Sequence, residues 1–168
     1  SKDIILGISA SGTTPFVLSA LKYAKKIGAS TGFLTCNDIN SIEYVDYLIK
    51  LIVGPEIISG STRLKSGTAT KMVLNMISTV SMMKLNRTFG NVMIDLLPKN
   101  KKLINRTINI IMEQLLINEE RAKNIYDLSG NNLKVAILMG KKNVSADQAA
   151  KILKKHKNSL TKSLKKDG

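Results

Sequence analysis

The chain has 168 residues, of which 43% are apolar and 4% aromatic, and its formal net charge is +14. This length suits one full hydrophobic core or one domain with a small appendage, and the apolar fraction argues against wholesale disorder. No apolar run approaches the roughly 20 residues that span a bilayer, and no signal-peptide pattern precedes the first apolar segment. A single cysteine, Cys36, excludes an internal disulfide, and a single histidine, His156, argues against a zinc site. We therefore expect a cytoplasmic protein without membrane spans, metal or cofactor.

The positive charge invites a nucleic-acid interpretation that the composition does not favour. Lysine outnumbers arginine 22 to 4, and the last 28 residues contribute +7 through nine lysines and two aspartates. A nucleic-acid binder usually adds arginine to read base edges and aromatic side chains to stack on bases. We interpret the lysines as a solvated surface and expect no nucleic-acid partner. A basic nucleic-acid-binding module is the weaker alternative, which steeply salt-dependent DNA binding would support.

The first part of the chain alternates between strand-like and helix-like segments. Residues 3–9, DIILGIS, form a short isoleucine-rich run typical of a buried parallel strand, and residues 31–36 and 47–53 are further strand candidates. After the first strand, apolar residues recur at helical spacing from Pro15 onward, with Thr14 as the expected N-cap. This order implies right-handed parallel crossovers, so we predict an α/β fold with a parallel sheet.

Residues 54–71, GPEIISGSTRLKSGTATK, concentrate charge and hydroxyl groups in a turn that leads into an apolar helix. We expect this helix to end near Lys84 and its methionines to fill a core.

Residues beyond 100 are predicted to be helical. The candidate helices span residues 101–117, 119–129, 132–140, 146–156 and 159–165. Ser145 and Gln148 match a capping box, and Ser159 is a candidate cap for the last helix. Residues 133–139 could also form a strand by periodicity alone. The tail from residue 131 resembles a three-helix ubiquitin-associated-type module.

The loop at residues 9–14, SASGTT, leaves the first strand and enters the first helix. Ligands of open α/β sheets bind at the carboxyl ends of strands, and a helix N-terminus there offers free N–H groups to a phosphate. Ser9, Ser11 and Thr14 add hydroxyl donors, and Gly12 allows close backbone approach. The loop contains no lysine and is not a Walker-type site. A hydroxyl-capped turn without a ligand is the alternative.

Two motifs carry a family resemblance. SxSGxT at 9–14 resembles the phosphosugar loop of sugar isomerase (SIS) domains. The stretch at 54–71 resembles the signature shared by the N-acetylmuramic acid 6-phosphate etherases and the glucokinase regulatory protein. Residues 73–96 and 134–153 are similar to the etherase branch specifically.

The resemblance implies the C-terminal portion of an etherase. Residues 1–100 would form a parallel-sheet SIS domain of αβα sandwich type that lacks its N-terminal part. Residues 101–168 would form a helical region, with 131–168 as the ubiquitin-associated-like module. Etherases of this family cleave the D-lactyl ether of N-acetylmuramic acid 6-phosphate, giving N-acetylglucosamine 6-phosphate and D-lactate by elimination and hydration. They act without a metal or organic cofactor, in cytoplasmic recovery of cell-wall amino sugar. The two glutamates credited with proton transfer would precede Ser1, and a homodimer with its active site at the interface is expected.

The resemblance also implies a set of substrate-binding residues. These are Ser9, Ser11, Gly12, Thr14, Glu56, Ser61, Thr62, Arg63 and Lys65. Glu56 is the candidate for contacts to sugar hydroxyls or for proton transfer. Arg63 or Lys65 would neutralise the phosphate or the departing lactate carboxylate. An ion pair between Glu56 and Arg63 that only holds the loop is the alternative.

A non-catalytic sugar-phosphate sensor, as in the regulatory-protein branch, is the alternative function, and D-lactate release would distinguish the two. Four further residues are given no chemical role. Lys71 and Asn75 are interpreted as surface or interface residues, and Cys36 and His156 as structural or solvated.

Overall fold

The computed structural model describes residues 2–96, 98 and 100–165. By their internal packing, the residues divide into two compact units, 1–78 and 79–168. The division into domains at residue 100 stays a prediction.

The first unit contains a three-stranded parallel sheet. Its strands are β1 (Ile4–Ser9), β2 (Ser30–Thr35) and β3 (Tyr47–Lys50), in the order β1-β2-β3. The predicted α/β class with parallel strands is confirmed, while the SIS fold stays a prediction. The expected burial of the first strand is wrong, because β1 is an edge strand of the described sheet and its Ile4, Ile5 and Ile8 are 64%, 42% and 40% exposed. The third strand ends at residue 50 rather than at 53, because its partner β2 ends at Thr35, which pairs with Lys50.

The central strand and the first helix form the core of this unit. Helix α1 (Pro15–Lys26) packs against β1 and β2, and Leu21, Phe33 and Leu34 are fully buried. Gly7 allows the close approach, since a Cβ there would lie 2.7 Å from side-chain carbons of both Leu21 and Val17.

Helix α2 (Lys65–Lys84) begins inside the 54–71 segment and buries only Ser66. Met72, Met76 and Met83 are each more than half exposed. The prediction that these methionines fill a core is therefore wrong, because no element of the described residues covers that side of the helix.

After the end of α2, the described residues of the second unit form a short antiparallel hairpin and five helices. The hairpin pairs β4 (Thr88–Phe89) with β5 (Val92–Met93), and the sequence did not predict it, because two-residue strands carry no periodicity. The helices are α3 (Lys101–Leu115), α4 (Glu119–Leu128), α5 (Leu133–Lys142), α6 (Ala146–Lys155) and α7 (Leu160–Leu164). These confirm the predicted helices to within three residues at each end.

Helix α5 lies at the centre of this unit and packs against α3, α4, α6 and α7. Residues 133–138 are all buried, which explains why their pattern resembles that of a strand. The predicted capping box of Ser145 and Gln148 is confirmed, and Ser159 accepts a hydrogen bond from the N–H of Lys162 as predicted.

Lys134 is a buried lysine that links the hairpin region to the turn after α6. Its Nζ donates to the carbonyl oxygens of Asn86, at 3.0 Å, and Asn158, at 3.4 Å, and lies 3.3 Å from Oδ1 of Asp95. Arg87 forms a second ion pair with Asp95. These contacts satisfy the charge of Lys134 inside the unit.

Candidate functional site

The loop after β1 is organised around the buried hydroxyl of Ser9. Its Oγ accepts a hydrogen bond from the N–H of Gly12, at 3.2 Å, and lies 2.7 Å from Oγ1 of Thr14 and 3.3 Å from Oγ of Ser11. Ser9 is only 5% exposed. Its hydroxyl therefore shapes the loop, while the side chains of Ser11, Thr13 and Thr14 are exposed to solvent. Thr13 was not among the predicted residues.

Gly12 occupies a position that only glycine fits. Its φ is +77°, in the left-handed region. A Cβ would lie 2.9 Å from Oγ1 of Thr35 and 3.0 Å from Cγ2 of Ile39. The loop is thus closed tightly against the residues that follow β2.

Thr14 is the N-cap of α1 by position, and Pro15 is at the first helical position as predicted. The side chain of Thr14 makes no capping hydrogen bond, because its hydroxyl faces Ser9 instead. The backbone N–H groups of Phe16 and Val17 in the first turn have no partners within the helix. An anion would find both N–H groups and exposed hydroxyls at this place.

Three residues at the end of β2 support the loop, and the sequence did not single them out for this role. The carbonyl oxygen of Ala10 accepts from the N–H of Cys36 at 3.1 Å and from Nδ2 of Asn37 at 3.2 Å. The hydroxyl of Thr35 lies 3.4 Å from the same oxygen. The parallel register could have identified them. Ser9 pairs with Thr35, so the residues that follow the two strands must be neighbours.

Glu56 caps the N-terminus of α2 from nine residues upstream. Its carboxylate accepts from the backbone N–H groups of Lys65, at 2.9 Å, and Ser66, at 3.0 Å, and from the hydroxyl of Ser66, at 2.9 Å. The N–H groups of Ser66 and Lys65 hold the pKa of this carboxyl below its usual value, because they stabilise the charged form.

This arrangement differs from the ion pair between Glu56 and Arg63 considered from the sequence. Within the described part of the chain, the carboxylate is joined to the helix N-terminus and not to the Arg63 guanidinium. A carboxyl with a lowered pKa is ionised at neutral pH and has no proton to give. Its contribution here is to fix the end of the loop.

The other predicted residues of the second segment form the turn that enters α2. The N–H of Leu64 donates to the carbonyl of Ser61 at 3.1 Å, and the N–H of Gly67 donates to that of Thr62 at 2.9 Å. Arg63 and Lys65 are exposed and line a shallow surface pocket of ≈ 540 Å³. Two cations are therefore available to an anion at this turn.

Cys36 lies between the two segments. Its N–H bonds the loop at Ala10, and its buried Sγ lies 3.7 Å from the carbonyl oxygen of Ser66 and 3.8 Å from Oγ1 of Thr70. The structure thus brings the loop at 9–14 and the start of α2 to the same end of β2. Lys71 and Asn75 lie further along α2 and are exposed.

Among the residues that the structure describes, no group of three or more His, Cys, Asp or Glu side chains could hold a metal ion. None of the helices in the described ranges has the length and apolarity needed to cross a membrane.

Comparison with known proteins places the chain among its relatives. N-acetylmuramic acid 6-phosphate etherase 1 of Bacillus licheniformis is 46% identical over 165 residues, which cover 98% of this chain and 54% of the relative. The chain is homologous to the C-terminal portion of the N-acetylmuramic acid 6-phosphate etherases. The etherase of Staphylococcus epidermidis is 49% identical over 83% of this chain and 48% of its own length. That of Staphylococcus aureus strain USA300 is 44% identical over 91% and 52%, respectively.

No protein-family model matches the chain. The chain spans about half the length of the curated etherases it matches. The identity with these etherases extends over both the sheet unit and the helical unit, because the match to the B. licheniformis protein covers 98% of the chain.

Proposed function

We propose that this chain is the phosphosugar-binding part of an enzyme that cleaves the D-lactyl ether of N-acetylmuramic acid 6-phosphate. The products would be N-acetylglucosamine 6-phosphate and D-lactate, and the reaction class would be a carbon–oxygen lyase. The observation that carries the proposal is 44–49% identity to proteins named for this etherase activity, over 83–98% of the chain.

The loop at 9–14 is the proposed phosphate site. In support, the first turn of α1 has no side-chain cap for its N–H groups, and the hydroxyls of Ser11, Thr13 and Thr14 in the preceding loop are exposed. The helix dipole adds a partial positive charge at the same point. A phosphate dianion is the ligand that such a set of donors favours.

Arg63 and Lys65 are the proposed partners of the second anionic group of the substrate. Both side chains are exposed at the start of α2. The lactyl group ends in a carboxylate, for which the planar guanidinium of Arg63 is suited. Ser61 and Thr62 would donate hydrogen bonds to the sugar from the preceding turn.

The chemistry requires a base that removes the C2 proton, an acid that protonates the departing lactate oxygen, and a water that adds to the unsaturated aldehyde. Glu56 is ionised and holds three donors of the helix N-terminus, so we assign it to loop support. We propose that the proton-transferring groups are other residues of the complete enzyme.

We further propose that the protein acts in the cytoplasm as a homodimer. In support of a covered surface, Met72, Met76 and Ile77 of α2 are exposed by 54%, 56% and 41%. Exposed apolar side chains that recur on one helix are typical of an interface. Sedimentation velocity of the chain at several concentrations measures the oligomeric state.

Release of D-lactate from N-acetylmuramic acid 6-phosphate tests the proposed activity. We would assay the 168-residue chain and the longest natural form that contains it. Turnover by the longer form alone supports a chain that binds phosphosugar while other residues transfer protons. If the 168-residue chain turns over substrate without the rest of the longer form, Glu56 returns to the candidates for acid–base catalysis. Binding of phosphosugar without turnover in either form favours the sensor function.

A further inference from the structure

The side chain of Asn37 joins two carbonyl oxygens of the phosphosugar loop. Its Nδ2 donates to the carbonyl oxygens of Ala10 and Ser11, both at 3.2 Å. Asn37 follows the end of β2, whereas the two oxygens belong to the loop after β1. Of the described side chains near this loop, it alone is within hydrogen-bond distance of both oxygens.

The direction of these carbonyl groups determines where the loop directs its N–H groups. The peptide bonds of the described chain are trans, so the carbonyl oxygen of one residue and the N–H of the next point in opposite directions. With the Ala10 oxygen held toward Asn37, the N–H of Ser11 points away from Asn37. With the Ser11 oxygen held there too, the N–H of Gly12 points back to Ser9, to which it is hydrogen-bonded.

A phosphate site benefits from this arrangement because carbonyl oxygens carry partial negative charge. A carbonyl that turned toward the bound phosphate would repel it and remain without a donor. The Ala10 oxygen is also bonded by the N–H of Cys36, whereas Asn37 is the donor for the Ser11 oxygen. Loss of the Asn37 side chain would therefore release Ser11 first.

We propose that Asn37 is a positioning residue that keeps the carbonyl groups of Ala10 and Ser11 turned away from the phosphate of the substrate. This inference rests on the proposed function and names a residue outside both motifs. Asn37 acts on the loop and not on the reacting atoms. It sets affinity for the phosphate group without a part in proton transfer.

The test compares Asn37→Ala with Asn40→Ala. Asn40 is the same residue type in the same connection after β2, is exposed, and makes no side-chain hydrogen bond in the described part of the chain. Binding of N-acetylglucosamine 6-phosphate is measured by calorimetry for the unaltered chain, the longest natural form and both variants. Amide hydrogen exchange of residues 10–14 is followed in the same samples. Asn37→Asp keeps the size of the side chain but has no N–H donors. It replaces Asn37→Ala in the test if Asn37→Ala fails to fold.

We expect Asn37→Ala to bind the phosphosugar about 10-fold more weakly, because two neutral hydrogen bonds are lost. Faster exchange at residues 10–14 and unchanged binding by Asn40→Ala complete the expected result. An unchanged affinity in Asn37→Ala would overturn this inference but not the proposed function. A lower thermal midpoint in that variant would then show that Asn37 has only a structural role. If neither unaltered form binds the phosphosugar, the proposed function fails, and the inference fails with it.

Discussion

Glu56 and Ser66 are joined by two hydrogen bonds through one carboxylate oxygen. Oε1 of Glu56 accepts from the backbone N–H of Ser66 at 3.0 Å and from its hydroxyl at 2.9 Å. Ser66 is the only buried residue of α2, and this contact fixes the preceding loop to the first turn of the helix. The 54–71 segment thus contains its own helix cap.

Replacement of Glu56 by alanine should lower the thermal midpoint by a few degrees, because three donors at the N-terminus of α2 lose the carboxylate that accepts their hydrogen bonds. Differential scanning calorimetry measures the shift. Glu43→Ala is the matched control, since Glu43 is exposed in the connection before β3. Equal midpoints for the two variants would contradict the capping role.

The stabilisation by Glu56 should depend on pH in one direction. Its folded-state pKa is lowered from the usual value of 4.5, so the contribution is fully present above that pH. It is lost as the pH falls through the lowered pKa of the folded state, where the carboxyl becomes protonated. The difference in midpoint between the unaltered chain and Glu56→Gln should therefore be constant near neutral pH and shrink in acid. A difference that grows toward acid would have the wrong sign.

Gly12→Ala should destabilise the chain by about 1–3 kcal/mol, because the left-handed backbone is strained and the new methyl group meets Thr35 and Ile39. Chemical denaturation gives the free energy of unfolding. Gly130→Ala separates the two causes, since Gly130 has φ +67° but a Cβ added there would meet no heavy atom within 4 Å. A loss no greater than that of Gly130→Ala would show that the close contacts at Gly12 do not matter.

Because we assign Arg63 to the lactyl carboxylate, Arg63→Ala should weaken binding of D-lactate about 10-fold while it leaves binding of N-acetylglucosamine 6-phosphate and the thermal midpoint nearly unchanged. The reason is that Arg63 is exposed and its guanidinium is available to an anion. Isothermal titration with N-acetylglucosamine 6-phosphate and with D-lactate tests which anion it meets. Arg106→Ala, at an exposed position of α3, controls for the loss of one positive charge. A larger effect on stability than on binding would assign Arg63 to the fold.

Lys134→Met should destabilise the chain by about 1–3 kcal/mol, because the carbonyl oxygens of Asn86 and Asn158 lose a charged donor. Chemical denaturation measures the change, with Lys151→Met on the exposed side of α6 as the control. If Lys134→Met is as stable as the control, the buried ammonium group contributes nothing net to the unit.

Much of the fold could be predicted because its signals are local. The apolar spacing after Pro15, the capping box at Ser145 and the short apolar strands are each encoded within a few residues, whereas their burial is not, since only β2 is buried. The two candidate binding segments were identified for the same reason, as runs of glycine, hydroxyl and charged residues. The hairpin at Thr88–Met93 was missed because four paired residues carry too little pattern.

The sequence by itself determined the α/β class, the helices of the second unit, the two candidate binding segments and the resemblance to the etherases. Only the tertiary structure decided that Ser9 is buried within its loop, that Glu56 caps α2, and that Asn37 holds two carbonyl groups. The physical reason is the separation along the chain of the residues that make each contact. Helices and turns follow from contacts between near neighbours in the chain, whereas the partner of a carboxylate or an amide is chosen by packing that brings distant residues together.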